Sequence, residues 1–217
     1  MRRQITFILL TLLLSACVRR IPKEQYFHIF SDDFSRTNQS LDATSRWVIE
    51  EPAGSVFQVY NQMALPAQGS GAAPSGFYST RMGLDDGMVT VKINVLGGSP
   101  PHPNAMILGR YDTNLVSTAT NGYACGFDSS NYLSIQRNGV TIQTGTEFFP
   151  FTQNDTYTLT FLQEGSDVQC KIEGNDTEDH VGFSESSPWE NGFYFGLTGG
   201  ENTTNYIFFD DFIVYGK

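Results

Sequence analysis

Charge is scarce in this chain. Only 17% of its 217 residues are Asp, Glu, Lys or Arg, and 13 Lys and Arg stand against 23 Asp and Glu. A net charge of −10 excludes the clustered cations that nucleic-acid phosphates require. It equally excludes broad adhesion to an anionic membrane surface. Cysteine and histidine are rarer still, at three each. His28, His102 and His180 stand in tether or loop contexts, and none has metal-ligand spacing with a Cys or another His. No Gly-x-Ser-x-Gly, phosphate-loop or Cys-x-x-Cys motif occurs, which removes common signatures of acyl transfer, nucleotide binding and dithiol chemistry. Helix-period patterning is nearly absent; at most one helical turn is expected, at Leu41 to Thr44 or near Ser186. The long apolar run at the start, Ile5 to Leu14, has ten residues, where a bilayer span takes about 20.

That run lies between Arg2-Arg3 and Leu14-Ser15-Ala16-Cys17. A charged start, a short apolar stretch and small residues before a cysteine resemble the bacterial lipoprotein signal. The resemblance implies a signal peptide over 1–16, a lipidated Cys17 heading a tether over 17–29, and a globular domain over 30–217. Each buried acyl CH₂ is worth about 0.8 kcal/mol, so palmitate-like chains on Cys17 would anchor the protein to a membrane. Val18 after the cysteine, rather than Asp, points in that family to the outer membrane of the cell envelope. An ordinary secretory signal with an incidental cysteine is the alternative. Without the signal, 11 basic and 23 acidic residues remain, a net of −12. Cys125 and Cys170 also remain. In an oxidising compartment they either form a disulfide or stay as two buried thiols. Sequence separation does not decide, because it says nothing about the Cα distance.

What the chain has is aromatics and glycine, with 17 Phe, 10 Tyr and 21 Gly, a composition of strands and tight turns. Met88 to Val95 alternates Val89, Val91, Ile93 and Val95 against Thr90, Lys92 and Asn94. Tyr157, Leu159 and Phe161 oppose Thr158 and Thr160; Val168, Cys170 and Ile172 oppose Gln169, Lys171 and Glu173. Leu133 and Ile135 oppose Ser134 and Gln136, and Asn138-Gly139 then predicts a type I′ hairpin. Shorter strands are expected at 46–50, 55–60, 76–82, 105–111, 122–127, 140–144 and 193–198. Turn signals every ~8–12 residues and one-sided alternation predict an all-β fold, an antiparallel two-sheet β-sandwich or jelly roll. Phe30-Ser31-Asp32-Asp33-Phe34 near the start echoes Phe209-Asp210-Asp211-Phe212 at the end. The first and last strands are therefore expected side by side.

An ordered set of motifs resembles the laminin-G-like and concanavalin A-like jelly rolls. The set comprises Asp32-Asp33-Phe34-Ser35-Arg36, Trp47-Val48, Val56 to Val59 with Asn61 and Leu65, Asp86-Gly87-Met88-Val89, Leu108-Gly109-Arg110-Tyr111, Asn121-Gly122-Tyr123 and Phe209 to Val214. Phe57 departs from a usual Trp, and the loop over 97–104 is long and Pro-rich. That superfamily holds lectins, carbohydrate-binding modules, glycosidases and structural domains, so the resemblance implies a fold more than a function. Family 16 glycoside hydrolases of this fold carry a structural calcium at a last-strand Asp. Asp211 matches it, with Asp210 and Asp32 as further candidate ligands. Strict alternation in the last strand also puts one of Asp210 and Asp211 on an apolar side, where a carboxylate needs a partner or a metal. The catalytic Glu-x-Asp-x-x-Glu strand of family 16 is absent. Glu173 to Asp179 comes nearest but reads as a solvated loop, so no catalytic residue is nominated.

Polar side chains on the wet faces suit sugar hydroxyls. The candidate ligand-binding set is Lys92, Asn94, Arg110, Tyr111, Gln136, Thr158, Thr160, Gln169 and Lys171, with Ser134 beside them and Tyr111, Tyr132 or Trp189 to stack on a ring. The expectation is a non-catalytic, carbohydrate-binding envelope lipoprotein, with a glycan as partner and no nucleic acid. A structural or adhesive protein contacting other envelope proteins, and a divergent glycoside hydrolase, are the alternatives.

Overall fold

The computed structural model describes residues 26–36, 39–40, 47–50, 57–60, 62–66, 75–78, 86–97, 104–113, 121–128, 131–188, 192, 194–200 and 205–217. The Cys17 anchor, its signal, Trp189 and the turn at 41–44 lie outside the described residues, which contain no helix. Sixteen strands follow in chain order: β1 (Phe27–Asp32), β2 (Gln39–Ser40), β3 (Trp47–Glu50), β4 (Phe57–Tyr60), β5 (Met63–Pro66), β6 (Ser75–Tyr78), β7 (Gly87–Gly97), β8 (Asn104–Tyr111), β9 (Tyr123–Asp128), β10 (Ser134–Arg137), β11 (Val140–Thr144), β12 (Thr156–Glu164), β13 (Asp167–Gly174), β14 (Thr177–Ser184), β15 (Tyr194–Gly200) and β16 (Asn205–Gly216). A nine-stranded sheet runs β14-β13-β12-β7-β16-β5-β4-β2, with β1 also on β16. A seven-stranded sheet runs β11-β10-β9-β8-β15-β6-β3. Every strand pairing among the described residues is antiparallel, so the all-β sandwich is as expected.

The core lies where alternation places it. Val89, Val91, Ile93 and Val95 of β7 are buried with Tyr157, Leu159 and Phe161 of β12, and the register sets Val89 against Phe161 and Ile93 against Tyr157. From the other sheet, Ile107, Tyr123, Cys125, Phe127 and Ile135 close over them. Burying each such side chain contributes about 1.5–3 kcal/mol. Asn138 and Gly139 both take positive φ, 53° and 74°, and turn β10 into β11 as the dipeptide predicts. Gly165 turns β12 into β13 likewise, at φ 54°.

β1 pairs β16 along its length, from Phe27 against Gly216 to Asp32 against Phe212. Phe27 to Ile29, expected in the tether, therefore belong to the sheet. Glu173 to Asp179 is not a loop. Asn175 and Asp176 form a turn with positive φ, and Glu178, Asp179 and His180 lie on β14, paired with Glu173, Ile172 and Lys171. His28 likewise sits on β1 against Tyr215. Turn-forming residues dominate the 173–179 stretch, which hides the strand that resumes at Thr177.

Cys125 on β9 and Cys170 on β13 are bonded, with Cα atoms 5.5 Å apart. The bond crosses from one sheet to the other inside the core. Its sequence separation of 45 makes the closed loop worth about 4 kcal/mol in the chain-entropy view. Replacing both cysteines by alanine is expected to lower the unfolding free energy by about 2–4 kcal/mol, read by urea unfolding, with a steeper slope because the released chain exposes more surface when unfolded.

Candidate functional site

The paired acids at the chain ends come together, but not as strict alternation implies. In β16, Asp210 faces Lys92 and Ile213 faces Thr90, so a β-bulge adds one residue between them. Asp211 takes φ 46° there. The extra residue lets Phe209, Phe212 and Val214 all turn inward, leaving both acids outside. Asp211 pairs with the Lys92 ammonium at 2.5 Å. Burial, and the charges of Asp211 and Asp33, push the Asp210 carboxyl up, against the Asp211 N–H that it accepts.

Asp32 is the buried one. Arg36 reaches it bidentately, with both N···O distances at 2.7 Å. The Trp47 indole N–H donates at 2.7 Å from the opposite sheet, and the Phe34 N–H donates at 2.9 Å. Around this carboxylate the rings of Phe30, Phe34, Trp47 and Phe212 meet at 5.2–6.3 Å. Burial raises the Asp32 carboxyl, but its hydrogen bonds from Arg36, Trp47 and Phe34 outweigh that, and it ends below the ordinary value.

These positions do not fit a calcium site. Asp32 spends its oxygens on Arg36, Trp47 and Phe34, and Asp211 already holds a lysine. Among the described residues no three His, Cys, Asp or Glu side chains cluster to hold a metal, where calcium takes about six to eight oxygens.

Six of the expected ligand residues do converge, on the outer face of the nine-stranded sheet. Lys92 faces Thr158, Thr160 faces Lys171, and Gln169 and Asn94 lie in the flanking rows. The face satisfies itself. The Asn94 amide oxygen accepts from Thr156 at 2.6 Å, Lys92 holds Asp211, and Thr160 is buried. Lys171 pairs with Glu173 at 2.6 Å and Glu178 at 3.1 Å. Glu173 and Glu178 stand opposite one another across β13 and β14, the arrangement nearest to a glycosidase pair. Both are exposed beside a shared ammonium.

The other three fall on the seven-stranded sheet. Arg110, at φ 50°, is 1% exposed and turns inward to Asp86 at 3.3 Å and the Gly165 carbonyl at 3.2 Å. It braces the sandwich and offers no surface to a ligand. Tyr111 is buried over Gly122, where a Cβ would lie 2.5 Å from its ring; burial and the Asp112 charge push its hydroxyl up to about 12. With Met106, Leu108 and Ala124 it forms a second apolar cluster, on the face turned away from the main core. Gln136 lies half-buried on that same face, in register with Ala124.

At the edge of this face stands a feature only half foreseen. The rings of Tyr132 and Phe148 meet edge to face, 6.1 Å apart at 85°, and are 38% and 50% exposed. Phe148 was legible from its neighbour: two adjacent aromatics on an extended chain point to opposite faces, and Phe149 is buried. Asn131, just before Tyr132, is 1% exposed, and neither atom of its amide has a hydrogen-bond partner. Such a group costs about 1–3 kcal/mol, recoverable by an enclosed water.

Solved structures of similar architecture include sugar-bound domains and plant lectins. The exoplasmic/lumenal domain of VIP36, in a form bound to Ca²⁺ and Man3GlcNAc, is 12% identical with a TM-score of 0.60, over 80% of this chain and 84% of that one. Lectin UEA-II complexed with galactose is 9% identical at 0.60, over 87% and 98%. Lectin I from Ulex europaeus, with the methyl glycoside of α-L-fucose, is 8% identical at 0.56, over 78% and 92%. No family model matches the chain, and no curated protein matches it. The fold is a two-sheet antiparallel jelly roll similar to that of these structures.

Two outcomes follow for the acid node. A carboxyl held below its unfolded value stabilises the fold above about pH 4 and loses that contribution as pH falls towards the folded value. Asp32→Asn is therefore expected to cost about 2–3 kcal/mol at pH 7, with the gap to the parent narrowing below about pH 4, measured by urea unfolding across pH. Millimolar Ca²⁺ or a chelator should leave Tm unchanged; a calcium-dependent rise would show ligands beyond Asp32, Asp210 and Asp211.

Proposed function

We propose that this chain is a non-catalytic carbohydrate-binding protein of the bacterial cell envelope, lipid-anchored at Cys17 in the outer membrane. The observation that carries it is the exposed Tyr132–Phe148 corner on the outer face of the seven-stranded sheet. Two rings at right angles present an apolar angle to the C–H face of a pyranose. Gln136 lies on the same face. The bound sugars of VIP36 and UEA-II support the class of ligand. A structural calcium at Asp211 does not enter the proposal. The anchor rests on Leu14-Ser15-Ala16-Cys17, and the disulfide between the sheets supports an oxidising compartment.

The test is a glycan array spanning plant, host and cell-wall glycans, followed by titration calorimetry on any hit. Tyr132→Ala and Phe148→Ala should each weaken binding at least ~tenfold, a loss of about 1.4 kcal/mol, with the circular dichroism spectrum unchanged. An array without a hit, or binding indifferent to both substitutions, refutes the site. For the anchor, Cys17→Ser is expected to move the protein out of the membrane fraction.

A further inference from the structure

Phe27 and Ile29, 75% and 42% exposed, stand where the tether enters the fold. The register of β1 against β16 slips between His28 and Phe30 and leaves Ile29 unmatched. Beyond the slip Phe30 turns into the core, while Phe27, His28 and Ile29 all stay outside. The His28 ring lies edge to face on Tyr215, 6.2 Å away. The entry point is fixed. The Tyr26 hydroxyl donates to Glu164 at 3.3 Å, and Lys217 pairs with the same carboxylate, so the incoming chain is tied to the turn between β12 and β13. Acids around that turn are matched by cations, Asp86 by Arg110 and Glu185 by Arg137. Exposed apolar side chains taken singly need no explanation. What sets this pair apart is the chain before it. Residues 18–25 carry Arg19, Arg20 and Lys23 against one acid, Glu24, in a protein of net charge −10. Cys17 and Phe27 are ten residues apart, a reach of about 35 Å at full extension.

We propose that Phe27 and Ile29 form a foot that enters the interface of the bilayer holding the Cys17 lipid. The foot rests on the anchor reading, which brings this end of the sheet within reach of a membrane. Apolar side chains sink into the boundary between headgroups and acyl chains, and nearby Tyr rings suit the headgroup level. Arg19, Arg20 and Lys23 face anionic headgroups on the way down. A second contact of this kind turns a flexible leash into a defined seat. The acidic remainder of the domain is repelled by the same anionic surface, which confines the contact to the end that carries Phe27 and Ile29. β12 leads away from that end. From Glu164 back to Tyr157, whose ring meets Phe149, the strand covers about 20 Å at ~3.3 Å per residue. Phe148 adjoins Phe149, so the seated domain holds its aromatic corner away from the membrane. That consequence concerns the carbohydrate proposal; the foot does not depend on it.

The experiment is tryptophan quenching in vesicles of phosphatidylethanolamine and phosphatidylglycerol with brominated acyl chains. The protein is reconstituted as purified where Cys17 carries lipid. Where it does not, the Cys17 thiol is coupled to a maleimide phospholipid; Cys125 and Cys170 are bonded to each other and do not compete. The mass of the Cys17 peptide thus decides the anchor, and the quenching decides the foot. Phe27→Trp should be quenched at least ~twofold more than Phe148→Trp, a position 50% exposed at the other end of β12, after subtraction of the parent signal from Trp47 and Trp189. Adding Ile29→Glu to Phe27→Trp should remove at least about half of that quenching, with the circular dichroism spectrum unchanged. Quenching of Phe27→Trp no greater than that of Phe148→Trp, or indifferent to Ile29→Glu, overturns the foot.

Discussion

The Asp32 carboxylate is buried where three parts of the fold meet. It sits on β1, beside the last strand; it accepts from Trp47 on the opposite sheet; and it holds Arg36 in the segment that leaves β1. A buried carboxylate is costly unless its lone pairs are filled by donors, and here four donors fill them. The requirement runs outward. Trp47 has to reach across the sandwich, so β3 has to lie over the β1–β16 pair. Phe34 is held at φ 50° with its N–H on Asp32, and Phe212 closes the ring cluster from the last strand. The ends of the chain and both layers are specified by one group, and the acid echo in the sequence is the trace of that arrangement.

The two outer faces then divide the work. On the nine-stranded sheet, lysines and acids neutralise one another: Lys92 with Asp211, and Lys171 with Glu173 and Glu178. Exposed pairs of this kind contribute little stability, about 0–1 kcal/mol, but they commit these charges to one another. The seven-stranded sheet carries an apolar floor, a half-buried Gln136 and an open aromatic corner. Its chemistry is the more suited to a sugar.

Much of the fold was legible because period-two alternation is insensitive to detail. Val89 to Val95 and Tyr157 to Phe161 face inward as written, and Asn138-Gly139 turns as its conformational freedom dictates. The site was less legible, for two physical reasons. A bulge costs one residue and inverts every face beyond it; alternation alone cannot see the extra residue at Asp211, nor the turn at Arg110 that carries a charged side chain inward. The sequence also cannot assign two wet faces to two sheets. Lys92 and Gln136 read as equivalent, yet they lie on opposite sides of the molecule. Turn residues misled at Asn175-Asp176, where a tight reversal joins two full strands.

The bond between Cys125 and Cys170 joins atoms that are wholly enclosed once the layers close. No oxidase can reach sulfurs inside a finished sandwich. The folding chain therefore works to a deadline: the thiols must be oxidised while β9 and β13 are still being brought together. A chain that closes first locks its thiols in the reduced state, less stable and out of reach of repair until it opens again.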